Sequence, residues 1–461
     1  MKDCPNIVMF TTDHQRYDCL GINGNPVIRT PTLDKLASEG VNFARMYAQN
    51  PVCMPSRASI FTGRYVSNHG VRVNGIPLPH SEIMLPAALG AAGYHTGQLG
   101  KVHFTPHSGR DHEAPHHHYG FDTFVLSDEP GCYPDAYVKW VESRDPAMVE
   151  KIRVPMPGTR KAFEHWTLEA PEELSHAAWV ATQAIEYIRE HKDEPFFAHA
   201  GFYNPHPPLN PPKHYVDMYP VKDMPLPMRR EGELEDKPRH FQGAYKRFAA
   251  TTDAQWQEHK AYFYAMVSQV DAQVKRVVEC LEELELLDRT LILLMSDHGD
   301  MLGDHWHTGK GPTNYDGIIH LPCFMRLPGA LPAGKVVEHL VETVDIMPTL
   351  LDIAGAPCPE RVKGESLMPL IRGERDGWRG EVLVEHKAPD GLSVKTLQTN
   401  DYKYMRVHTG EELLVDLRDD PDEFVNRASD PGCAGALQEM RERLLACMMR
   451  IEDDLERTSV Y

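Results

Sequence analysis

Short unbroken apolar runs punctuate this chain, and each ends in polar residues. Ile7-Val8-Met9-Phe10-Thr11 stops at Thr12-Asp13-His14. Phe196-Phe197-Ala198-His199-Ala200 leads to Asn204-Pro205-His206. Leu291-Ile292-Leu293-Leu294-Met295 stops at Ser296-Asp297-His298-Gly299. Runs of this length without alternation predict strands buried on both faces, as in a parallel sheet covered by helices. In such sheets ligands bind beyond the carboxyl ends of the strands, so residues far apart in sequence are expected to meet in one crevice.

Between these runs the apolar spacing becomes helical. Residues 32–40 carry Leu33, Leu36 and Ala37 with a glycine behind them, 86–93 behave similarly, and 177–191 and 256–287 are longer amphipathic stretches. The proline density of 204–238 predicts an extended surface loop for substrate access or subunit contact. From about Gly373 the texture changes to short strands separated by turns, at Val382-Leu383-Val384, Ser393-Val394-Lys395-Thr396, Tyr402-Lys403-Tyr404-Met405 and Leu413-Leu414-Val415-Asp416. A last helix is expected from 434 to about 457. The fold class is therefore α/β: a central mixed, mostly parallel sheet flanked by helices (residues 1–372), followed by a smaller antiparallel-sheet subdomain (373–461).

Composition narrows the function. The chain has 461 residues, 41% hydrophobic and 25% charged, which is an ordinary globular balance. Its net charge of −19 argues against nucleic acid as a partner, and it requires any anion site to be locally positive. No run approaches the length of a membrane span, and Met1 to Asn6 lead into the first strand without a signal-like apolar segment. Nine widely spaced cysteines read as free thiols in a reducing compartment, so the expected location is cytoplasmic.

Two constellations carry chemistry. Asp13 and Asp297-His298 stand at strand ends and are candidate ligands for one divalent cation. Two carboxylates with one imidazole suit Mn²⁺ better than Ca²⁺, although either aspartate would also serve as a turn former. His14 is kept outside this set, as a group behind the ligands or facing substrate. The second constellation is Cys53-Met54-Pro55-Ser56-Arg57. This C-x-P-S-R run would arise by chance in a chain this long roughly a few times in a thousand. The bland alternative is a buried, inert cysteine in front of a helix.

With that run in place the chain resembles the type I, formylglycine-dependent sulfatases of the alkaline phosphatase superfamily, from Asn6 to about Ala428. Beyond the signature itself, which extends to Thr62-Gly63-Arg64, the resemblance rests on Thr30-Pro31-Thr32, Gly100-Lys101-Val102-His103, Ser296-Asp297-His298-Gly299-Asp300, Gly309-Lys310-Gly311 and Val344-Asp345-Ile346-Met347-Pro348-Thr349. The resemblance implies that a maturation enzyme oxidises Cys53 to formylglycine, whose hydrated form attacks sulfur with one hydroxyl and expels sulfate through the other. It implies one divalent metal, Mn²⁺ or Ca²⁺, on Asp13, the modified Cys53, Asp297 and His298. Lys101 and Lys310 would grip sulfate oxygens, His103 would draw the proton from the modified residue, and His206 would serve the leaving oxygen. Arg57 would hold the modified residue and the carboxylates, and Asn74 would contact substrate.

The implied partners are the maturation enzyme and a small sulfated substrate, whether sugar, aryl or alkyl sulfate, with homo-oligomerisation left open and no nucleic acid or membrane. Many such sulfatases have a second aspartate where this chain has His14. Phosphonate monoester hydrolases share the machinery and resemble the Phe202-Tyr203-Asn204-Pro205-His206-Pro207-Pro208 stretch. They tend to carry neutral hydroxylated residues where this chain has Lys101 and His103, which favours sulfate. A metal-binding protein with an unconverted cysteine is the non-enzymatic alternative. The histidine-rich loop at His107, His112 and 116–118 reads as solvated, and Trp306 and Tyr315 as core residues rather than a platform for substrate.

Overall fold

The computed structural model of the chain describes residues 4–452 apart from 108–109, 113, 157–162, 375–376 and 389. The three apolar runs are adjacent strands, Thr290–Ser296, Asn6–Thr12 and Phe196–Gly201, at the middle of an eight-stranded sheet. Outward on one side lie His95–Gly100 and Thr123–Leu126; on the other lie Cys323–Arg326, Val41–Phe43 and Lys335–Val337. All pairings are parallel except those of Cys323–Arg326, which runs against both of its neighbours.

The absence of alternation has the cause expected. Successive side chains of a strand point to opposite faces. Ile7 and Met9 enter one core with Phe197, Leu291 and Leu293, while Val8 and Phe10 enter a second with Ala198, Ile292 and Leu294. The helices Cys53–Thr62 and Ile346–Ala354 cover the first face. His176–Glu190 and the 31-residue helix Asp253–Glu283 cover the second.

The helices expected at 32–40, 86–93, 177–191 and 256–287 appear as Pro31–Ser38, Leu85–Ala91, His176–Glu190 and Asp253–Glu283. The proline-dense stretch differs from expectation. Leu209, Tyr215, Tyr219 and Met224 are buried against Phe263, Met266 and Val267 of the long helix, so much of it is an anchored strap. Its prolines set the backbone, while its aromatics decide where it lies.

The C-terminal strands Val382–Lys387, Ser393–Gln398, Tyr402–Val407 and Glu412–Asp416 form an antiparallel meander. One face packs Leu383, Leu397, Tyr404 and Leu414 against Leu437, Met440 and Leu444 of the helix Ala434–Arg450. The other packs Val382, Val384 and Met405 against Tyr47, Met301 and Tyr315. Any continuation of that last helix toward 457 lies outside the described residues. No described helix is long and apolar enough to cross a membrane.

Candidate active site

Three of the strands hand the crevice a polar residue at once. Asp13 follows Asn6–Thr12, Lys101 follows His95–Gly100, and Asp297-His298 follow Thr290–Ser296. Gly201, which ends its strand, permits the Lys101 main chain to come close, since a Cβ there would stand 1.9 Å from the Lys101 carbonyl oxygen.

Cys53 opens the wholly buried helix Cys53–Thr62, and Gly63 ends it at φ 63° with its N–H on the Ser59 carbonyl. Pro55 is tolerated because the first helical turn has no N–H partners to lose. Asn74 Oδ1 accepts one of those orphan amides, Met54 N–H, at 3.0 Å. Ser56 Oγ donates to the Asp297 carbonyl at 2.5 Å, tying the helix to the D-H segment. Arg57 stands four residues after Cys53, a spacing that shares one helix face.

Arg57 is fully buried. Its Nε donates to Asp297 Oδ2 at 2.7 Å and its Nη2 to Asp13 Oδ2 at 3.4 Å. The other guanidinium donors go to Thr11 Oγ1 and to the Lys101 and Thr12 carbonyls. Lys101, also fully buried, places Nζ 2.8 Å from Asp13 Oδ2 and 4.7 Å from the centre of the Tyr203 ring. Burial alone would raise the Asp13 carboxyl, but Lys101, Lys310 and Arg57 hold it well below the usual range.

Around Asp13 Oδ1 the remaining donors converge. Cys53 Sγ lies 3.6 Å away, His298 Nε2 3.6 Å and His14 Nε2 3.7 Å. Cys53 Sγ is 3.2 Å from His298 Nε2, and Lys310 Nζ contacts both the sulfur and, at 3.2 Å, that ring nitrogen. His298 Nδ1 faces the Gly299 carbonyl at 2.9 Å, which fixes the proton there and leaves Nε2 as a lone pair. Burial, followed by Lys310 and His14, holds His298 far below the usual imidazole range, so the ring is neutral as a ligand must be. Ligand atoms of Asp13, His14, Cys53 and His298 all lie within 4.8 Å of one another. Metal–ligand bonds of roughly 2.0–2.6 Å place donors at most about 5 Å apart, so the cluster fits one cation. Asp297 is adjacent, with Oδ1 3.8 Å from His298 Nε2 and Oδ2 on Arg57.

Sequence reasoning left His14 outside the ligands, and the structure turns it inward. Its backbone is left-handed, with φ 72°. Nδ1 meets Asp300 Oδ2 at 2.9 Å, and the buried Nε2 has no hydrogen-bond partner among the described residues. Asp300 Oδ1 accepts from the amides of Leu302 and Gly309. Against the upward push of burial, the hydrogen bond with His14 and the Leu302 amide help to hold Asp300 at about 2. The signal was available, since Asp300 follows His298 by two residues in S-D-H-G-D.

His103 and His206 also border the site. His103 is left-handed (φ 55°), and its N–H donates to Asp128 Oδ1 at 2.8 Å. Its ring stacks on His107 at 4.2 Å, so this part of the histidine-rich loop is packed rather than solvated as expected. Burial, then His107 and Lys101, hold His103 far below the usual imidazole range. His206 Nδ1 faces the Pro207 carbonyl at 2.6 Å, and its ring lies 4.4 Å from that of His14. Burial again keeps the ring neutral. Tyr315 is buried in the core under the C-terminal sheet, with Trp306 partly buried against it.

The thiol itself is unsuited to attack. Burial, then Asp13, push Cys53 up to about 12, so it stays protonated at neutral pH, and the thiolate is the nucleophilic form.

Comparison with known proteins places this geometry. The sulfatase family model matches residues 5–356, and the model of the C-terminal region of N-sulphoglucosamine sulphohydrolase matches 305–450. An arylsulfatase of Clostridium perfringens is 34% identical over 438 residues, covering 92% of this chain and 90% of the relative. The multifunctional alkaline phosphatase superfamily protein PehA of Trinickia caryophylli is 29% identical, covering 96% of this chain and 94% of its own. The crystal structure of the phosphonate monoester hydrolase of Agrobacterium radiobacter superposes with a TM-score of 0.84 at 28% identity, over 97% of this chain and 96% of that one. A strand-end crevice with a signature cysteine among carboxylates, imidazoles and lysines, matched over nearly the whole length, makes this chain a member of the sulfatase family of the alkaline phosphatase superfamily, a hydrolase of sulfate esters.

Proposed function

We propose that Cys53 becomes the formylglycine nucleophile of this sulfatase and that Asp13, His298, Asp297 and His14 surround one divalent cation beside it. The observation that carries this reading is the convergence of Asp13, His298 and Lys310 on a sulfur whose own thiol is pushed up to about 12. Two imidazoles in the donor set favour Mn²⁺ or a similar first-row ion over Ca²⁺, which prefers oxygen alone. When present, the hydrated aldehyde and the cation supply a nucleophile with a built-in exit and a Lewis acid.

The chain's own residues do the rest. Lys101 and Lys310 are the cations that grip the sulfate oxygens; Lys101 is buried and Lys310 partly buried. They provide the local positive field that a net charge of −19 otherwise denies to an anion. Neutral His103 accepts the proton whose loss expels sulfate. His206, with Nδ1 committed to Pro207, turns Nε2 toward the leaving oxygen. Arg57 positions Asp13 and Asp297. Asn74 uses its oxygen on Met54 N–H, which leaves its Nδ2 for substrate.

The first assay is an aryl sulfate, the substrate class in the name of the Clostridium perfringens relative. Cys53→Ala abolishes turnover of that ester; retained hydrolysis in the variant would refute the nucleophile assignment. The likeness to the phosphonate monoester hydrolase keeps a second reading in view. Lys101 and His103 predict a higher kcat/KM for a sulfate monoester than for a matched phosphonate monoester, and the reverse order would favour the phosphonate reading.

A further inference from the structure

A cavity of about 210 Å³ opens where the C-terminal sheet meets the chain behind the nucleophile, lined by Ser67, Arg72, Glu385, Lys387, Ser393 and Lys395 among others. The antiparallel register pairs Glu385 with Lys395 and Lys387 with Ser393, so these four share one face of the ribbon. The cavity thus holds three cations against one carboxylate, in a chain of net charge −19.

The carboxylate is already engaged. Glu385 forms an ion pair with Lys395, and its Oε2 accepts from Ser67 N–H at 2.9 Å and Ser67 Oγ at 3.2 Å. Arg72 and Lys387 are exposed, and their side chains have no ion-pair or hydrogen-bond partner among the described residues.

Both walls of this cavity are tied to the segments that flank Cys53. On one side Glu385 N–H donates to the Gln49 carbonyl at 2.8 Å, and Asn50 Nδ2 donates to the Glu385 carbonyl at 2.5 Å. Asn50 Oδ1 in turn accepts from Val52 N–H, the residue before Cys53. Three residues of chain span at most about 11 Å. On the other side Arg72 precedes by two residues Asn74, which caps the first turn of the nucleophile helix at Met54.

We propose that this cavity is a subsite for a second anionic group, sulfate or carboxylate, on the same substrate molecule, held by Arg72 and Lys387 while the scissile sulfate lies at Cys53. The natural substrate is then a polyanion, such as a multiply sulfated saccharide, rather than a simple monosulfate. The inference rests on the sulfate-ester reading and adds to it the class of the alcohol part.

The test uses matured enzyme turning over 4-nitrophenyl sulfate. The competing inhibitors are a singly sulfated disaccharide, its disulfated counterpart and a counterpart whose second anion is a carboxylate. Wild type binds the two dianionic compounds roughly tenfold tighter than the singly sulfated one, as two charge-assisted contacts allow. In the Arg72→Ala/Lys387→Ala double variant that advantage vanishes, while kcat/KM for 4-nitrophenyl sulfate and the thermal midpoint stay at wild-type values. Equal inhibition by all three compounds in wild type overturns the subsite, as does an advantage that survives the double substitution. Tightening by only one dianion assigns the subsite to that anion. Failure of the sulfatase reading itself would show separately, as matured wild type with no turnover of 4-nitrophenyl sulfate.

Discussion

Arg57 shows how much of the site one side chain holds. A fully buried guanidinium spreads its donors over Asp13, Asp297, Thr11 and two strand-end carbonyls. Removing one partner of a buried ion pair leaves an uncompensated charge, which costs roughly 3–5 kcal/mol. Arg57→Ala is therefore expected to lower unfolding free energy by that order in denaturant titration, along with loss of activity. Arg57→Lys recovers little of either, because an ammonium cannot reproduce the planar fork. An Arg57→Ala protein of wild-type stability would show that the carboxylates are balanced by something else.

Asp300 gives a second residue-scale test, because it touches the cluster only through His14. Asp300→Asn removes the carboxylate behind the His14 ring. Loss of such a supporting partner typically weakens metal binding about 10–100-fold. Titration with a metal-sensitive dye reads this without any turnover, and unchanged affinity would place His14 outside the ligands. At this scale the meeting of Asp13, Asp297, His298 and Cys53 in one crevice was legible because each follows a strand or opens a helix. The inward turn of His14 was not, since it depends on a left-handed backbone at φ 72° and on a carboxylate 286 residues away. Nor was the use of the Asn74 oxygen on a helix amide, which only the return path of the chain decides.

Among the elements, the central strands were the most readable, since burial on both faces leaves an unbroken apolar run that few other structures produce. The strap at 204–238 departs from the extended surface loop that its proline density predicts, because Tyr215, Tyr219 and Met224 are buried on the long helix and anchor it. The helix Ala136–Arg144 offers a pH test at this scale. Its N-cap, Asp135, accepts from Val138 N–H at 3.0 Å and from Ser127 Oγ at 2.7 Å. Burial pushes its carboxyl up to about 7. The unfolded chain loses this proton near the ordinary aspartate value, whereas the folded chain keeps it up to about pH 7. Between those points the native state binds more protons, so this group's contribution to stability declines as pH rises. Asn caps a helix as well as Asp and does not titrate. The free energy of unfolding of Asp135→Asn should accordingly gain on wild type from pH 5 to pH 8, by at most about 3 kcal/mol, and its thermal midpoint with it. A difference independent of pH would contradict the assignment.

For the whole molecule, an acidic surface with net charge −19 surrounds a centre where Lys101, Lys310 and Arg57 face Asp13 and Asp297. The acidic exterior repels anions at long range, so recognition depends on cations close to the reacting group. The C-terminal sheet takes part in this. Its strands follow all eight of the central sheet in sequence, yet Glu385 is bonded to Gln49 and Asn50 just ahead of the nucleophile. The small antiparallel sheet that follows the central one was legible from the change in periodicity toward the C-terminal end, whereas the short three-stranded sheet of Val341–Glu342, Met46–Tyr47 and His320–Leu321 was not. The packing of the C-terminal sheet against the nucleophile segment was not legible either, because local patterning does not specify which distant surface a strand edge meets.

The most direct test of the central claim follows rate against modification. Preparations with graded conversion of Cys53, made by varying co-expression of a formylglycine-generating enzyme, are assayed on an aryl sulfate. Intact mass gives the converted fraction from a loss of about 18 daltons. Turnover should rise in proportion to the converted fraction and extrapolate to zero when none is converted. Full turnover by protein of unmodified mass would contradict the account.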